Sequence, residues 1–216
     1  MLKELQSAFS RTGSRDFFSD SGAIATHTGP VVGYVLSKSL IGIDFDIDDS
    51  LEPITERVLV EDCGVVRVSS LIAPRVETHV GVLVSTRVSG DTAERPDECI
   101  AAAFPVLRVL TGNGEGISAA IAVGSPSLRK EVLEDSLASL NRNGSVVAAG
   151  EGAAIGQSPG SAFAAIARRL VEADQALNRG HIVLTGSIHR AVPARPGDHF
   201  RCDVLGLGSV CIRCVD

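Results

Sequence analysis

The longest β-like run of the chain, RVETHVGVLVSTRV at 75–88, constrains the fold more than any other stretch. Successive side chains of a strand point to opposite faces, so Val76, Val80, Val82 and Val84 form one apolar face. Glu77 and His79 then share the other. An acid and an imidazole two positions apart in such a run describe one of three things. They form a metal-binding edge, a metal-binding edge that has lost its metal, or an ordinary strand whose histidine is half-buried and bonded to a neighbour.

The rest of the chain is also rich in strand signals. PVVGYVL (30–36), ERVLVED (56–62) and VVRVSSLI (65–72) read as strands, the last two joined at Cys63-Gly64, and GISAAIAVG (116–124) is apolar enough for a buried one. DTAERPDECIAAAF (91–104) reads as a helix with an Ala-rich inner face, closed by Pro105. SLRKEVLEDSLASL has helical periodicity, yet Asn143-Gly144 before SVVAAG signals a hairpin, so a strand is expected from about Glu134. The best helix is 158–177, where Ser158 can cap, Pro159 suits the first turn, and Ala, Ile and Leu recur at three and four. HIVLTGSI, the turn ARPGDH, FRCDVL, the tight GLG and SVCIRCV then give a strand, a crossing and a hairpin. Strands first, one or two helices in the middle and strands at the end predict an α+β fold with a largely β core.

The 216 residues, 44% of them hydrophobic, suffice for one substantial core, which we place at 30–216 after a short N-terminal segment, 1–29. A net charge of −6, no Lys/Arg cluster, one Tyr and no Trp argue against nucleic acid as a partner. No stretch approaches the roughly 18 apolar residues of a membrane span, and the first residues lack a secretory apolar core, so a cytoplasmic location is expected. Five scattered cysteines argue for reduced thiols rather than a disulfide framework. Cys211 and Cys214 form a C-x-x-C, but an odd separation in a strand sends the two thiols to opposite faces. Asp44, Asp46 and Asp48 share a face if extended; a calcium loop would need Gly at its sixth position and an acid at its twelfth, where Asp49 and Thr55 stand, so a solvated acidic loop is expected. His27, His181 and His199 have no partner that the sequence names and are expected in solvent.

From about Val31 onward, LIAPRVETHVGVLV, FPVLRVL, GEGAAIGQSPGSAFAAIARRL and HIVLTGSIHRAVPARPGDHFRCDVLGLGSV follow one another in a familiar order. The chain resembles the 2-keto-4-pentenoate hydratase and 4-oxalocrotonate decarboxylase branch of the fumarylacetoacetate hydrolase superfamily, with a shortened N-terminal region. The last stretch, with its L-T-G, its P-G-D turn and its G-L-G-S-V ending, carries most of that resemblance. The resemblance implies a rolled mixed β-sheet with a few helices, in a homo-oligomer. It also implies acid/base chemistry on 2-oxo or 2-hydroxydienoate acids, helped by Mg²⁺ or Mn²⁺. The family's ion is held by a Glu-x-Glu pair on one strand and a third Glu shortly after a Pro, and it stabilises charge developing on an enolate.

Carried over position by position, the pair falls on Glu77 and His79, and the third acid on Arg108 of PVLR. Three carboxylates would sum to −3, whereas Glu77 and Arg108 cancel with His79 neutral, and Mg²⁺ prefers hard oxygen donors. At about 4 Å and an effective dielectric near 20, the guanidinium opposes each unit of cation charge by about 4 kcal/mol. The expectation is an ion pair between Glu77 and Arg108 and no cofactor, with Mg or Mn returning only if the third ligand lies elsewhere.

Two more positions depart from the family. Gly33-Tyr34 is followed by Val35 where a lysine is usual, leaving Lys38 nearest, and the usual His-Pro appears as Gln157-Ser158-Pro159. Glu77, His79 and Arg108 are therefore the candidate catalytic residues, with Tyr34, Lys38, Gln157, Thr185, Ser187 and His189 as candidates for binding substrate and Arg190 beside them. Arg108 is either a surface arginine or a pocket guanidinium able to grip a substrate carboxylate with two parallel bonds.

Three functions fit. The first is a divergent lyase or isomerase/cyclase acting without metal on a small oxo acid or dienol, with Arg108 as electrophile and His79 or Glu77 moving the proton. The second is a silent relative serving as a binding or partner subunit, paired with an active paralogue. The third is an Mg-dependent hydratase. The partners expected are a small carboxylic acid and further copies of the chain or a paralogous subunit, with no nucleic acid and no membrane.

Overall fold

A computed structural model describes residues 29–36, 51–112, 117–151 and 158–216. The alternating apolar runs become strands: β1 (Val31–Leu36), β2 (Leu51–Thr55), β3 (Leu59–Val60), β4 (Gly64–Arg67), β5 (Arg75–Val84), β6 (Ile100–Thr111), β7 (Ile117–Val123), β8 (Leu137–Arg142) and β9 (Ser145–Glu151). The helix α1 (Pro159–Glu172) follows, then β10 (Ile182–Ser187), β11 (Val192–Pro193), β12 (His199–Val204) and β13 (Gly208–Val215). One mixed sheet runs β2-β1-β10-β5-β6-β7-β3, with β11 added to β5; the second runs β4-β13-β12-β8-β9.

The first sheet buries both faces, and β5 shows how. Val76, Val80, Val82 and Val84 join a core with Phe200, Val204, Val210 and Ile212 of the second sheet and Phe163, Ile166 and Leu170 of α1. Leu83, on the opposite face, belongs to a separate core with Val35, Ile54, Phe104, Val106, Ile121 and Leu184. That second face is the inside of a curl. Neighbouring strands lie about 4.8 Å apart, so five spacings would hold β2 and β7 about 24 Å apart in a flat sheet. Yet the Glu52 carboxylate of β2 accepts a hydrogen bond from the Ser118 backbone N–H of β7 at 2.9 Å. The sheet rolls until its first strand reaches its sixth.

Gly81 tightens the roll, because it stands opposite Phe104 on β6 and a Cβ there would overlap the aromatic ring. The hairpin between β8 and β9 turns on Asn143 and Gly144, both at positive φ (53° and 85°), as a two-residue turn of this hand requires. Helix α1 begins as expected, with the Ser158 hydroxyl accepting from Ser161 N–H at 3.2 Å and Pro159 in the first turn. It stops at Glu172 rather than 177. Asp174 takes φ 55°, and the N–H groups of Gln175 and Asp174 bond back to Leu170 and Val171, which closes the helix end.

Other expectations need correction. The stretch 91–104 is not a helix: Pro96, which could not sit inside one, divides two short 3₁₀ turns (Gly90–Glu94 and Pro96–Cys99), and Ile100 starts β6. The alanines at 101–103 lie in a strand buried along its whole length, where coverage on both faces outweighs weak strand preference. The run 56–62 holds a 3₁₀ turn (Glu56–Val58) before β3, and the strand expected at 65–72 is limited to Gly64–Arg67. Cys63 and Cys211, read as reduced thiols, are joined in a disulfide, while Cys99, Cys202 and Cys214 are free and buried. Distance along the chain, 148 residues, hid that pairing. Cys211 and Cys214 do lie on opposite faces, one in the disulfide and the other 2% exposed in the core. Asp44, Asp46 and Asp48 fall outside the described residues. Among the described residues, no helix is long and apolar enough to cross a membrane.

Candidate functional site

The strand register builds the site. Glu77 on β5 stands directly opposite Arg108 on β6, and Arg108 stands opposite Ile121 on β7, so all three share the inner face of the roll. The Arg108 guanidinium is 1% exposed and fixed from three sides. Its Nε donates to Ser118 Oγ at 2.8 Å, Nη1 to Glu77 Oε2 at 3.4 Å, and Nη2 to Glu52 Oε2 at 2.5 Å. Glu52 spans the opening, because its other oxygen takes the Ser118 N–H. A buried cation needs paired anions and well-aimed acceptors, and Arg108 has both.

His79 completes the cluster. Its Nε2 lies 3.1 Å from Glu77 Oε2, the oxygen that also faces Arg108. Burial pushes the Glu77 carboxyl up, but the His79 hydrogen bond together with the charges of His79, Arg108 and His189 outweighs it and holds the carboxyl below its ordinary value. Burial dominates at His79 and holds the imidazole below its ordinary value despite Glu77, so the ring is neutral near pH 7. A carboxylate can only accept, which puts the ring's one proton on Nε2 and leaves a bare lone pair on Nδ1. That Nδ1 is buried without a hydrogen-bond partner among the described residues.

The other candidates are distributed less compactly. Ser187 on β10 is the cross-strand partner of His79, and its hydroxyl donates to the His189 carbonyl at 2.5 Å. The His189 ring donates from Nδ1 to the Arg190 carbonyl at 2.9 Å and accepts at Nε2 from the Thr78 hydroxyl at 2.9 Å; burial holds its pKa down. Thr185 donates to the Val80 carbonyl at 3.0 Å, a bond within the sheet. Tyr34 does not join the site: it packs against the core on the other face of the sheet, its hydroxyl 3.4 Å from Gln175 Oε1. His181, expected in solvent, is partly buried beside the Tyr34 ring with 6.2 Å between centroids, and burial lowers its pKa. Lys38 and Gln157 fall outside the described residues.

Two members of the cluster were absent from the sequence reading, Glu52 and Ser118. Glu52 changes the charge balance: two carboxylates and one guanidinium sum to −1 with His79 neutral, not to zero. The expected ion pair between Glu77 and Arg108 exists, but Glu52 makes the shorter contact. The donor set fits a hard divalent ion poorly. The two carboxylates are already bridged by a buried cation, and the third candidate ligand is a neutral imidazole whose free lone pair is nitrogen.

No family model matches the chain. Single relatives do. It is 29% identical over 173 residues to a 4-oxalocrotonate decarboxylase of Pseudomonas putida, covering 72% of this chain and 66% of that protein. It is 26% identical over 166 residues to a 2-keto-4-pentenoate hydratase of Paraburkholderia xenovorans (strain LB400), covering 69% and 62%. The chain thus matches a little under two thirds of the length of these relatives. The solved 4-oxalocrotonate decarboxylase of Pseudomonas putida G7, complexed with calcium and acetate, superposes with a TM-score of 0.74 at 26% identity, over 87% of this chain and 79% of that one. In sequence and in its rolled sheet the chain is thus similar to the 4-oxalocrotonate decarboxylases and 2-keto-4-pentenoate hydratases.

Proposed function

We propose that the chain is an enzyme that moves protons on a small 2-oxo or 2-hydroxydienoate acid without a divalent metal. The observation that carries this reading is the Glu77–His79 pair beside Arg108. Glu77 holds the imidazole in the tautomer with a bare Nδ1, and a neutral histidine of that kind is a general base suited to neutral pH. The base takes a proton from the substrate, leaving an enolate. Arg108 supplies the fixed positive charge that favours the developing anion, and it needs no reorganisation because Glu52 and Ser118 hold it. Returning the proton to a different carbon completes an isomerisation. Adding water or losing CO₂ at the enolate stage would make the same machinery a lyase.

The relatives support the substrate class, since the decarboxylase and hydratase named above act on such acids. A second reading, a silent binding or partner subunit, is favoured by one observation: Arg108 and His79 are each 1% exposed in their side chains. The test is turnover of 2-hydroxypenta-2,4-dienoate and of 4-oxalocrotonate, with excess EDTA and with added Mg²⁺. Turnover untouched by EDTA and cut at least about a hundredfold in H79A is expected, the size of a lost general base. Turnover that depends on Mg²⁺ would return the chain to the hydratase mechanism. No turnover in either condition, at a level matched by H79A, supports the silent reading.

A further inference from the structure

The disulfide lies apart from this buried cluster, at the edge of the second sheet, and its surroundings are built like a ligand set. The turn Asp62-Cys63-Gly64 leads into β4, which runs parallel to β13, with Gly64 in register with Ile212. Cys63 sits at φ 61°, and the Gly64 N–H closes the turn on the Glu61 carbonyl at 2.9 Å. Two bonds that do not involve the disulfide tie this turn to the facing strand. Cys63 N–H donates to the Cys211 carbonyl at 2.7 Å, and Cys211 N–H to Asp62 Oδ1 at 2.8 Å. The frame therefore keeps both sulfur atoms adjacent when the S–S bond is open.

A carboxylate oxygen of Asp62 and the two sulfur atoms lie within 4.8 Å of one another, with Asp62 and Cys63 exposed and Cys211 partly so. Zinc takes tetrahedral ligands at about 2.3 Å to sulfur and about 2.0 Å to oxygen, which sets the S···O edge near 3.5 Å and the S···S edge near 3.8 Å. Cys63 Sγ and Asp62 Oδ1 already stand 3.7 Å apart. Only the two sulfur atoms must separate.

We propose that Cys63, Cys211 and Asp62 form a redox-gated site for a thiophilic divalent ion such as Zn²⁺, closed as the disulfide and open as the dithiol. In the opening step a dithiol reductant donates two electrons and two protons. The Cys63–Cys211 bond breaks, two thiols form, and the reductant leaves as its own cyclic disulfide. The ion then displaces the two thiol protons, with water as the fourth ligand. Thiolates select such an ion over a hard cation such as Mg²⁺.

The experiment uses the full chain in two forms, oxidised, and reduced with dithiothreitol then desalted without oxygen. Each is titrated with Zn²⁺ against a chromophoric chelator and with Cd²⁺ for a sulfur-to-metal charge-transfer band. The expected result is one Zn²⁺ bound by the reduced form and none at this site by the oxidised one, with two thiolates in the Cd²⁺ band. C63S abolishes that band, D62N weakens Zn²⁺ binding at least about tenfold, and C214S retains both. A reduced protein that binds no Zn²⁺, or a band that persists in C63S, overturns the proposal. Because the readout is metal and not turnover, its failure leaves the pocket's chemistry untouched, and failure of the pocket's chemistry leaves it untouched in turn.

Discussion

Glu52 and Arg108 meet across the mouth of the roll, Oε2 to Nη2 at 2.5 Å, although four strands lie between β2 and β7 in the sheet order and Arg108 is on β6. The contact does two jobs. It neutralises a cation that the fold places in its interior, and it ties the first strand of the sheet to the far side, since the same carboxylate binds the Ser118 N–H.

Glu52→Gln should therefore be costly. Removing one partner of a buried pair leaves the other charge uncompensated, typically at about 3–5 kcal/mol. We expect E52Q to lower the unfolding free energy obtained from urea titration by an amount in that range, shifting the midpoint down accordingly, and R108M added to E52Q to recover part of it, because the orphaned cation is then gone. Equal midpoints for E52Q and wild type would show that Glu77 alone compensates Arg108.

His79 sets a pH dependence with a definite sign. Its pKa in the fold lies below the ordinary 6.5, so the unfolded chain takes up the proton first as pH falls. The stability it contributes is complete above about pH 6.5 and is lost as pH drops from there toward the folded value, with a slope of at most about 1.4 kcal/mol per pH unit. Glu77, held below 4.5, acts in the same direction but at lower pH. Between pH 7 and pH 5 the wild-type urea midpoint should fall more steeply than that of H79Q. Parallel curves would mean that the buried imidazole titrates normally.

Gly81 is a glycine of the inner face that packing demands. Its neighbour across the strands is Phe104, fully buried, and a Cβ would push into that ring from a sheet held on both sides. Overpacking of this kind costs about 1–3 kcal/mol. Thermal unfolding of G81A should show that loss, and G81A/F104L should regain part of it. If G81A matches wild type, the ring has room to move that the packing does not suggest.

The site was legible in the sequence to the extent that it is local to one strand or one motif. Period-two alternation placed Glu77 and His79 on one face, and the P-V-L-R motif brought in Arg108. Glu52 carried no such signal: it sits after an acidic stretch where one more carboxylate looks like solvated charge, and it reaches the site only because the sheet curls. Ser118 was hidden for the same reason, a small hydroxyl in an apolar strand. The helix misread at 91–104 has the opposite cause. Alanine's local preference for a helix was overridden by burial on both faces, and Pro96, visible in the sequence, was the residue that should have argued against it.

The charge argument makes its sharpest forecast at position 108. Arg108 now stands between Glu52 and Glu77, so Arg108→Glu would exchange the guanidinium for a third carboxylate and turn a −1 cluster into one of −3. Three like charges in a buried space repel, and we expect R108E to be much less stable than wild type in EDTA. A divalent ion that binds only the folded form should reverse this, by RT ln(1 + [L]/Kd), or about 2.7 kcal/mol at a hundred times Kd. Differential scanning calorimetry in EDTA and in millimolar Mg²⁺ should show a Tm for R108E that rises with the ion and a wild-type Tm that does not. A wild-type Tm that climbs with Mg²⁺ would mean that the ion finds oxygen donors despite the guanidinium, and the metal-free chemistry proposed for this pocket would fall with it.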